Sequence, residues 1–225
     1  GTATSAGAYT YVAAPTISTP LGTTSGPATG GTSVVITGTN FTGATAVSFG
    51  GTAATSYAVN SPTQITATTA AHAAGATAVA VTTAGGTATS AAAFTYLAST
   101  ATLQNLSLST GTLSPTFASG TTSYTASVSN ATSTIPVTPT VTDSNATVKV
   151  NTVTVASGVA SGAIALNVGA NTITTVVTAQ DGTTTQTYTT TVTRAALLAQ
   201  AAFTVSASPT TLNATTTSST LSTSG

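Results

Sequence analysis

Residues 32–51 read TSVVITGTNFTGATAVSFGG, and this stretch decides the fold class. Two runs rich in Val, Ile, Thr and Phe, at 32–38 and 46–51, flank a segment of Gly, Asn and Thr. Val, Ile and Thr are branched at the β-carbon and fit a pleated sheet better than a helix, whereas Gly and Asn favour turns. The stretch therefore predicts a strand, a turn and a second strand.

The same succession of short strands and turns continues along the chain. Its 225 residues include 61 Thr and 26 Ser, and further strand candidates lie at 64–69, 77–83 and 90–96. Alternation is clearest in 77–83, where Val79 and Val81 alternate with Ala and Thr. Many short strands separated by turn residues are typical of all-β sandwiches, and the length fits one large or two small domains.

Charged residues are almost absent, which excludes several functions. Lys149, Arg194, Asp143 and Asp181 make up 2% of the chain, against about 25% in an ordinary domain. Two cations cannot neutralise a run of phosphates, so we expect no nucleic-acid partner. The chain has no uninterrupted apolar run of about 18 residues, so we expect no membrane insertion of this segment. With no Cys and one His, it offers no thiolate zinc site, Cys nucleophile or disulfide.

A repeat indicates the domain boundaries. Residues 1–15 and 86–100 are identical at 10 of 15 positions, at an offset of 85 residues. We therefore expect residues 1–13 to be the last strand of a preceding domain, and residues 203–225 to be the first strands of a further one. The chain is then a window on a longer repeat protein. Alternatively, these end strands are complete in themselves and pair with neighbouring chains.

Residues 14–98 carry the motifs PTIST, GP, GGTSVVITGTNF, AVSFGG, SPTQI, AHAAGATAVAVTT and AFTY in this order. In this order the motifs resemble those of the IPT/TIG domain, an immunoglobulin-like sandwich, and residues 1–13 would end a preceding domain of the same kind. The resemblance implies that Asn40 and Phe41 close a turn and place Phe41 in the core. It also implies four residues that shape the turn before the second strand: Gly26, Pro27, Gly30 and Gly31.

The resemblance to the IPT/TIG family leaves several functions open. The family occurs in DNA-binding transcription factors, in receptor ectodomains, beside polysaccharide-degrading enzymes and in bacterial surface proteins. Its DNA-binding branch needs basic loops, and no Lys or Arg precedes Lys149, so that branch is excluded. His72, the single histidine, lies where the family has a His-Ala-Ala-Gly turn, and its nearest acid in the sequence is Asp143. We therefore interpret His72 as a structural residue.

Residues 101–194 open with LQNLSLSTGTLSPTFASGTTSY and end with GANTITTVVTAQDGTTTQTYTTTVTR. These motifs resemble the bacterial cadherin-like β-sandwich family. The ending predicts a hairpin of strands 171–180 and 183–193 joined by Asp181–Gly182 as a two-residue turn. The family name does not imply calcium here, because calcium takes about six to eight oxygens and the chain has two carboxylates, Asp143 and Asp181, in predicted turns.

The sequence also lacks the sets of residues that an isopeptide bond, a glycosidase or a Ser-His-acid enzyme requires. An isopeptide bond requires a buried Lys, and Lys149 alternates with inward Val side chains in ATVKV. A glycosidase needs two carboxylates that flank one bond, and a Ser-His-acid set needs His72 beside an acid, although the acids fall in the other sandwich. We therefore expect no catalytic, cofactor-binding or metal-binding residue, no cofactor and no enzymatic activity.

We interpret most aromatic side chains as core residues, because they fall on the inward phase of predicted strands. They are Tyr9, Tyr11, Tyr57, Tyr96, Tyr124, Tyr188, Phe41, Phe49, Phe94, Phe117 and Phe203. Residues 203–225 resemble the first two strands of a bacterial Ig-like domain. The sequence thus predicts an all-β chain of tandem immunoglobulin-like β-sandwiches connected by short linkers at 98–102 and 195–202, where the helix-permissive run AALLAQAA is a connector.

The scarcity of charge also favours one class of function. Sandwich proteins protect exposed edge strands with Lys and inward charges, and a net charge of zero gives no repulsion between copies. We expect a structural segment of a large extracellular or cell-surface bacterial protein, which associates with copies of itself into a filament or surface fibre. The bacterial origin is implied by the two resemblances.

Three alternatives remain open. The segment is a passive stalk of a cell-surface adhesin, in which a carbohydrate or host receptor binds only to distal domains. Alternatively, it forms accessory domains of a secreted polysaccharide-degrading enzyme, or it decorates a phage or capsid.

Overall fold

The computed structural model describes residues 11–197, which form strands and turns and contain no helix. They fold into two β-sandwiches that follow one another along the chain, and each sandwich has its own buried apolar core. The predicted fold class, tandem immunoglobulin-like β-sandwiches, is confirmed.

The first sandwich consists of two sheets. Its strands are β1 (Thr16–Ile17), β2 (Ser25–Pro27), β3 (Ser33–Thr39), β4 (Ala46–Phe49), β5 (Thr52–Ala53), β6 (Ser56–Ser61), β7 (Gln64–Thr68), β8 (Gly75–Thr83) and β9 (Gly86–Leu97). One sheet has four strands in the order β1-β3-β7-β6, and the other has five in the order β2-β9-β8-β4-β5. Neighbouring strands are antiparallel except β2 and β9, which are parallel.

Alternation of inward and outward side chains builds the first core. In β8, Thr77, Val79, Val81 and Thr83 are buried, while the residues between them are partly exposed, as the sequence pattern predicted. The other buried apolar side chains of this core are Leu21, Val34, Ile36, Phe41, Val47, Phe49, Ile65, Ala67, Phe94 and Tyr96. The rings of Phe49 and Phe94 meet edge to face, with centroids 5.4 Å apart.

Two turns of the first sandwich have the backbone that the resemblance implied. Gly30 and Gly31, just before β3, have φ values of 81° and 83°, in the region that favours glycine. Asn40 also has a positive φ, 59°, which Asn tolerates better than most residues. Phe41 follows it and is fully buried, and its amide donates to the carbonyl of Pro62 at 2.9 Å.

The second sandwich has one continuous sheet and one divided sheet. Its strands are β10 (Leu103–Leu108), β11 (Ser123–Val128), β12 (Thr134–Ile135), β13 (Val137–Val141), β14 (Thr147–Val150), β15 (Val153–Val155), β16 (Ile164–Ala165), β17 (Gly169–Thr178) and β18 (Thr185–Arg194). The continuous sheet has the order β11-β18-β17-β14-β15, and β11 runs parallel to β18. The divided sheet consists of the pairs β10-β13 and β12-β16.

Proline accounts for the divided sheet. Pro136 stands between β12 and β13 and has no amide to donate, so it interrupts the ladder at that point. The chain pairs with β16 before Pro136 and with β10 after it. The buried apolar side chains on both sheets are Ala101, Leu103, Leu106, Tyr124, Ala126, Val128, Ile135, Val137, Val141, Val148, Val150, Leu166, Ile173, Val177, Ala179, Tyr188 and Val192.

The hairpin of β17 and β18 corrects one prediction. The strands end at Thr178 and resume at Thr185, so 179–184 form the connection. A two-residue type I′ turn requires a positive φ at both of its central residues. Gly182 has a φ of 73°, but the φ of Asp181 is not positive. The predicted two-residue turn is therefore wrong. The reason is that the Asp181 carboxylate accepts hydrogen bonds from the residues that follow it and so stabilises a longer connection.

Two aromatic side chains also differ from the prediction. Tyr11 is 84% exposed and Tyr57 is 37% exposed, so the interpretation of these two as core residues is wrong. Tyr57 lies on the short edge strand β6, which the sequence analysis did not identify. Phe117 is partly buried and packs against the second core, whereas Tyr9 and Phe203 lie outside the described residues.

The predictions for the two ends of the chain fall mainly outside the described residues. Of 1–13, the structure describes only 11–13, and these have no regular secondary structure. Of the connector 195–202, it describes 195–197, which are not helical. The predicted strands in 203–225 lie outside the described part.

Candidate interaction surfaces

His72 is part of the packing of the first sandwich. Its ring stacks on Tyr96 with centroids 4.9 Å apart, and its Nδ1 lies 2.8 Å from the carbonyl oxygen of Ala73. Its backbone amide donates to the carbonyl of Ala28 at 2.9 Å. The ring and the backbone amide of His72 thus contribute to the packing of the segment between β7 and β8.

Asp143 and Lys149 lie at different positions around β14. Asp143 precedes the strand in a turn, and its Oδ1 accepts hydrogen bonds from the backbone and side-chain nitrogens of Asn145. Its Oδ2 is a buried oxygen without a hydrogen-bond partner among the described residues. Lys149 is exposed between the buried Val148 and Val150, as the alternation predicted.

Asp181 lies in the connection between β17 and β18. Its Oδ1 accepts from the amides of Thr183 and Thr184 at 2.9 and 2.8 Å, and its Oδ2 accepts from the Thr184 hydroxyl at 2.6 Å. The Thr184 hydroxyl and then the Thr184 amide hold the pKa of this carboxyl below its usual value. The carboxylate is thus occupied by its own turn.

Arg194 binds carbonyl groups. Its Nε and Nη2 donate to the carbonyl of Asn130 at 2.9 and 2.7 Å, and its Nη1 donates to the carbonyl of Leu166 at 2.8 Å. The Asn130 side chain in turn donates to the carbonyl of Ala195. Arg194 therefore fastens two loops to the end of β18 and has no role in a charged cluster of the described residues.

The ionisable residues thus act separately. Within residues 11–197, no group of three or more His, Cys, Asp or Glu side chains could hold a metal ion. The prediction that the chain has no catalytic, cofactor-binding or metal-binding residue remains a prediction.

Buried tyrosine hydroxyls connect loops to the cores. The Tyr188 hydroxyl accepts from the amide of Leu103 at 3.0 Å and donates to the carbonyl of Ser119 at 2.9 Å. The Tyr96 hydroxyl donates to the carbonyl of Ala70 at 3.1 Å. Burial raises the pKa of Tyr96 above its usual value, and a hydrogen bond with Thr69 opposes that shift. These tyrosine hydroxyls thus hold loops against the two cores.

Strand β6 is an open edge of the first sandwich. It has a single neighbour, β7, and in the register Tyr57 faces Ala67 and Val59 faces Ile65. Directly paired residues point to the same side of a sheet, and Ala67 and Ile65 point into the core. Tyr57 and Val59 therefore point inward, yet they remain 37% and 38% exposed because no further strand covers the edge.

In the second sandwich, a loop covers one side of β13. The outer amides of Val137 and Val141 on β13 donate to the hydroxyls of Ser161 and Ser157, each at 3.0 Å. The carbonyls of Val137 and Pro139 accept from the amides of Ser161 and Gly158, both at 2.8 Å. The loop 156–162 thus occupies the positions where a further strand would pair. No periodic pattern in the sequence indicates this loop, since its serines act through single side-chain contacts.

A shallow groove of about 590 Å³ runs beside β9. The register of β8 and β9 shifts between Thr77 and Val79, and Ala92 has a φ of 49° at this bulge. The groove is lined by small or hydroxyl side chains together with Pro20 and Leu97. It contains neither a charged nor an aromatic group with which to orient a ligand.

None of the described residues forms a helix long and apolar enough to cross a membrane.

The family comparisons agree with the two sandwiches. Residues 15–96 match the model of the IPT/TIG domain, and residues 103–195 match that of the cadherin-like beta sandwich domain. The chain therefore contains an IPT/TIG domain followed by a cadherin-like β-sandwich domain, in the order that the sequence motifs predicted. Both are immunoglobulin-like domain types that typically serve as structural or accessory, non-catalytic segments.

Solved structures similar to the chain come from several kinds of protein. SGBP-B from a complex xyloglucan utilization locus in Bacteroides uniformis is 25% identical over 44% of this chain and 28% of that chain, with a TM-score of 0.29. The fibronectin(III)-like modules of CbhA from Clostridium thermocellum are 16% identical over 80% of this chain and 95% of theirs, with a TM-score of 0.29. Titin domains I67–I69 are 9% identical over 80% of this chain and 65% of the titin chain, with a TM-score of 0.41. The match thus spans about a quarter of the Bacteroides protein, and no curated protein matches the chain.

Proposed function

We propose that this chain is a structural segment of a larger extracellular bacterial protein and associates with copies of itself into a filament or surface fibre. The observation that carries the proposal is the uncharged open edge β6 of the IPT/TIG domain. Self-association is the partner chemistry that this edge fits best, because residues 14–98 contain no Asp, Glu, Lys or Arg. A charged partner surface would leave its charges unpaired against this domain.

The geometry of β6 supports pairing with a second strand. Ser56–Val59 pairs regularly with β7, and the register then shifts between Val59 and Ser61. An added strand would pair with the free backbone groups of this segment and would cover Tyr57 and Val59. Two β6 edges can do this for one another around a two-fold axis, since a neutral strand brings no like-charge repulsion. This contact joins two chains, and a fibre requires a second contact between such pairs.

An extracellular location agrees with both domain families and with the hydroxyl-rich, uncharged surface. In this setting the two sandwiches supply length. A strand of eight to ten residues spans about 30 Å, since each residue adds ~3.3 Å. A series of such domains is thus an economical way to build reach.

Electron microscopy and sedimentation of residues 1–225 at rising concentration test the proposal. We expect concentration-dependent oligomers or fibres from the natural chain. Val59→Lys places a charge at the edge and should raise the concentration at which association begins about tenfold or more, because like charges then oppose each other. Thr187→Lys, which adds the same charge on an exposed position of β18, is the matched control and should leave association unchanged.

Two outcomes would contradict parts of this proposal. Single dispersed particles at every concentration would rule out self-assembly of this segment and leave the passive stalk as its function. Assembly that is equally weakened by both Lys substitutions would show that β6 is not the contact and that net charge alone controls association.

A further inference from the structure

The residues between the two sandwiches are bonded to both of them. β9 ends at Leu97, whose carbonyl accepts from the amide of Ala28 in the first sandwich at 2.8 Å. The very next residue, Ala98, donates its amide to Oε1 of Gln180 at 2.9 Å and accepts from the amide of Asp181 at 3.1 Å. Consecutive residues are therefore held by different sandwiches.

The far end of the linker is fixed as well. Ala101 is buried in the core of the second sandwich. The carbonyl of Thr102 accepts from the amide of Thr142 at 2.9 Å, and the two hydroxyls are hydrogen-bonded at 3.0 Å. Of the linker 98–102, only Ser99 and Thr100 lie between bonded positions. A hinge needs residues whose backbone angles can change freely, and few remain here.

The same arrangement recurs at the start of the first sandwich. The repeat that aligns residues 1–15 with 86–100 places Ala13 opposite Ala98. A Cβ on Gly85 would collide with the carbonyl oxygens of Val12 and Ala13, so this glycine permits a close backbone approach. The next carbonyl, that of Ala14, accepts from the Asn40 side chain at 2.8 Å.

Both contacts use the equivalent hairpin. Gly85 lies in the turn between β8 and β9, the last two strands of the first sandwich, and Gln180 lies between β17 and β18, the last two strands of the second. In each case the hairpin of a sandwich receives the chain segment that enters that sandwich. The equivalence is one of position, because the contact is backbone packing at Gly85 and hydrogen bonding at Gln180.

We infer that this hairpin is a docking surface for the incoming linker, and that it locks neighbouring sandwiches into one fixed orientation. The hydrogen bonds of this junction come from the Gln180 side chain and from backbone groups, so we expect it to stay locked without calcium. The inference deepens the proposed role in building reach but does not depend on self-association. A locked junction makes the two sandwiches a stiff rod whether the chain is a filament subunit or a stalk.

Spin-label distance measurements on residues 1–225 test the locked junction. The chain has no Cys, so Thr42→Cys with Ser127→Cys introduces a single defined label pair, one on each sandwich. Both positions are exposed. We expect one narrow distance distribution. Four Gly residues inserted between Ser99 and Thr100 provide the flexible reference.

Gln180→Ala should then broaden the distribution about twofold, towards that reference, because the side-chain contact to Ala98 is lost. Gln186→Ala removes a glutamine of β18 whose side chain makes no hydrogen bond to the linker, so this matched control should leave the distribution narrow. Calcium and EDTA should both leave it unchanged.

Three results would overturn the inference. The first is a distance distribution of the natural chain that is as broad as that of the Gly insertion. The second is a distance distribution of Gln180→Ala that is as narrow as that of the Gln186→Ala control. The third is a distance distribution of the natural chain that narrows when calcium is added. None of them bears on whether the natural chain assembles, which sedimentation reports separately.

Discussion

In both sandwiches the larger sheet has the same arrangement. A central antiparallel hairpin, β8-β9 or β17-β18, is flanked by a parallel strand on one side and by two short antiparallel strands on the other. The smaller sheets differ. The first sandwich has a fourth strand, β6, with an open edge, whereas in the second the loop 156–162 bonds to the outer side of β13.

The difference shows two ways to treat an edge without charge. Edge strands are commonly protected by Lys or by inward charges, and neither β6 nor β13 carries one. In the second sandwich, Ser157 and Ser161 saturate the outer amides of β13. In the first, Tyr57 and Val59 remain partly exposed. We therefore expect contacts between copies to use β6 rather than β13.

The separation of the two cores predicts the largest effect. Phe94 belongs to the first core only, and its ring lies 5.0 Å from that of Tyr96. Phe94→Ala should destabilise the first sandwich by about 3–5 kcal/mol through lost burial and a cavity. Calorimetry should show that only one of two unfolding transitions moves. An equal shift of both would mean that the sandwiches unfold as one unit.

Matched Tyr→Phe substitutions compare the two sandwiches more finely. Tyr188→Phe removes a hydroxyl that accepts from Leu103 and donates to Ser119, and we expect a loss of about 1–3 kcal/mol because these groups lose their partner. Tyr57→Phe removes an exposed hydrogen bond to Ala44 and should cost about 0.5 kcal/mol or less. Urea denaturation measures both, and equal losses would contradict the distinction between buried and exposed hydroxyls.

The serine-covered edge can be opened. Ser157→Ala with Ser161→Ala should cost roughly 1 kcal/mol for each amide of β13 left unpaired. The double variant should also associate at lower concentration than the natural chain, because β13 then becomes an open edge. Sedimentation velocity detects this, with Ser129→Ala as a surface control. Unchanged association would show that saturation of the edge is not what keeps the second sandwich apart.

The smallest changes in stability should appear at extreme pH. The second sandwich should lose stability at acid pH and the first sandwich at alkaline pH. Asp181 has a lowered pKa in the fold, so its contribution is present above about pH 4 and is lost as the pH falls through the folded value. Tyr96 has a raised pKa, so the first sandwich loses stability as the pH rises from about 10 through the folded value. Urea midpoints across pH should thus be flat between these limits.

Single substitutions separate the two pH effects. Tyr96→Phe should flatten the alkaline loss of the first sandwich, and Thr184→Ala should weaken the acid loss of the second. If either substitution changes the wrong limb of the profile, its assignment is incorrect.

Much of the fold could be predicted from local pattern. The strand at 77–83, the inward Tyr188 and the outward Lys149 all follow from alternation. The strands β1, β2 and β5 could not, because two or three residues carry too little periodicity and form a strand only through their partner. In β6, the strand-forming Tyr57 and Val59 stand among Ser, Ala and Asn, which give a weak strand signal. The prediction of a two-residue turn at Asp181 was wrong for a related reason. Hydrogen bonds to the Asp181 carboxylate, which the pattern does not show, stabilise a longer connection.

Some properties of the candidate interaction surfaces could also be predicted from the sequence, and others could not. That the edges would be uncharged follows from composition alone, because four charged residues cannot protect the edges of two sandwiches. Which edge stays open depends on contacts between residues distant in sequence, such as Val141 with Ser157. Likewise, the length of the linker 98–102 was evident, but its locking by Gln180 was not.

Composition, motif order and charge count can all be read along the chain, so they were enough to predict the strand-rich domain types, their order and the scarcity of ionisable groups. Tertiary structure alone decided which inward side chains remain uncovered at β6, which serines close β13 and which hairpin receives the linker. The physical reason is that a single long-range hydrogen bond or an absent neighbouring strand leaves no periodic trace in the sequence.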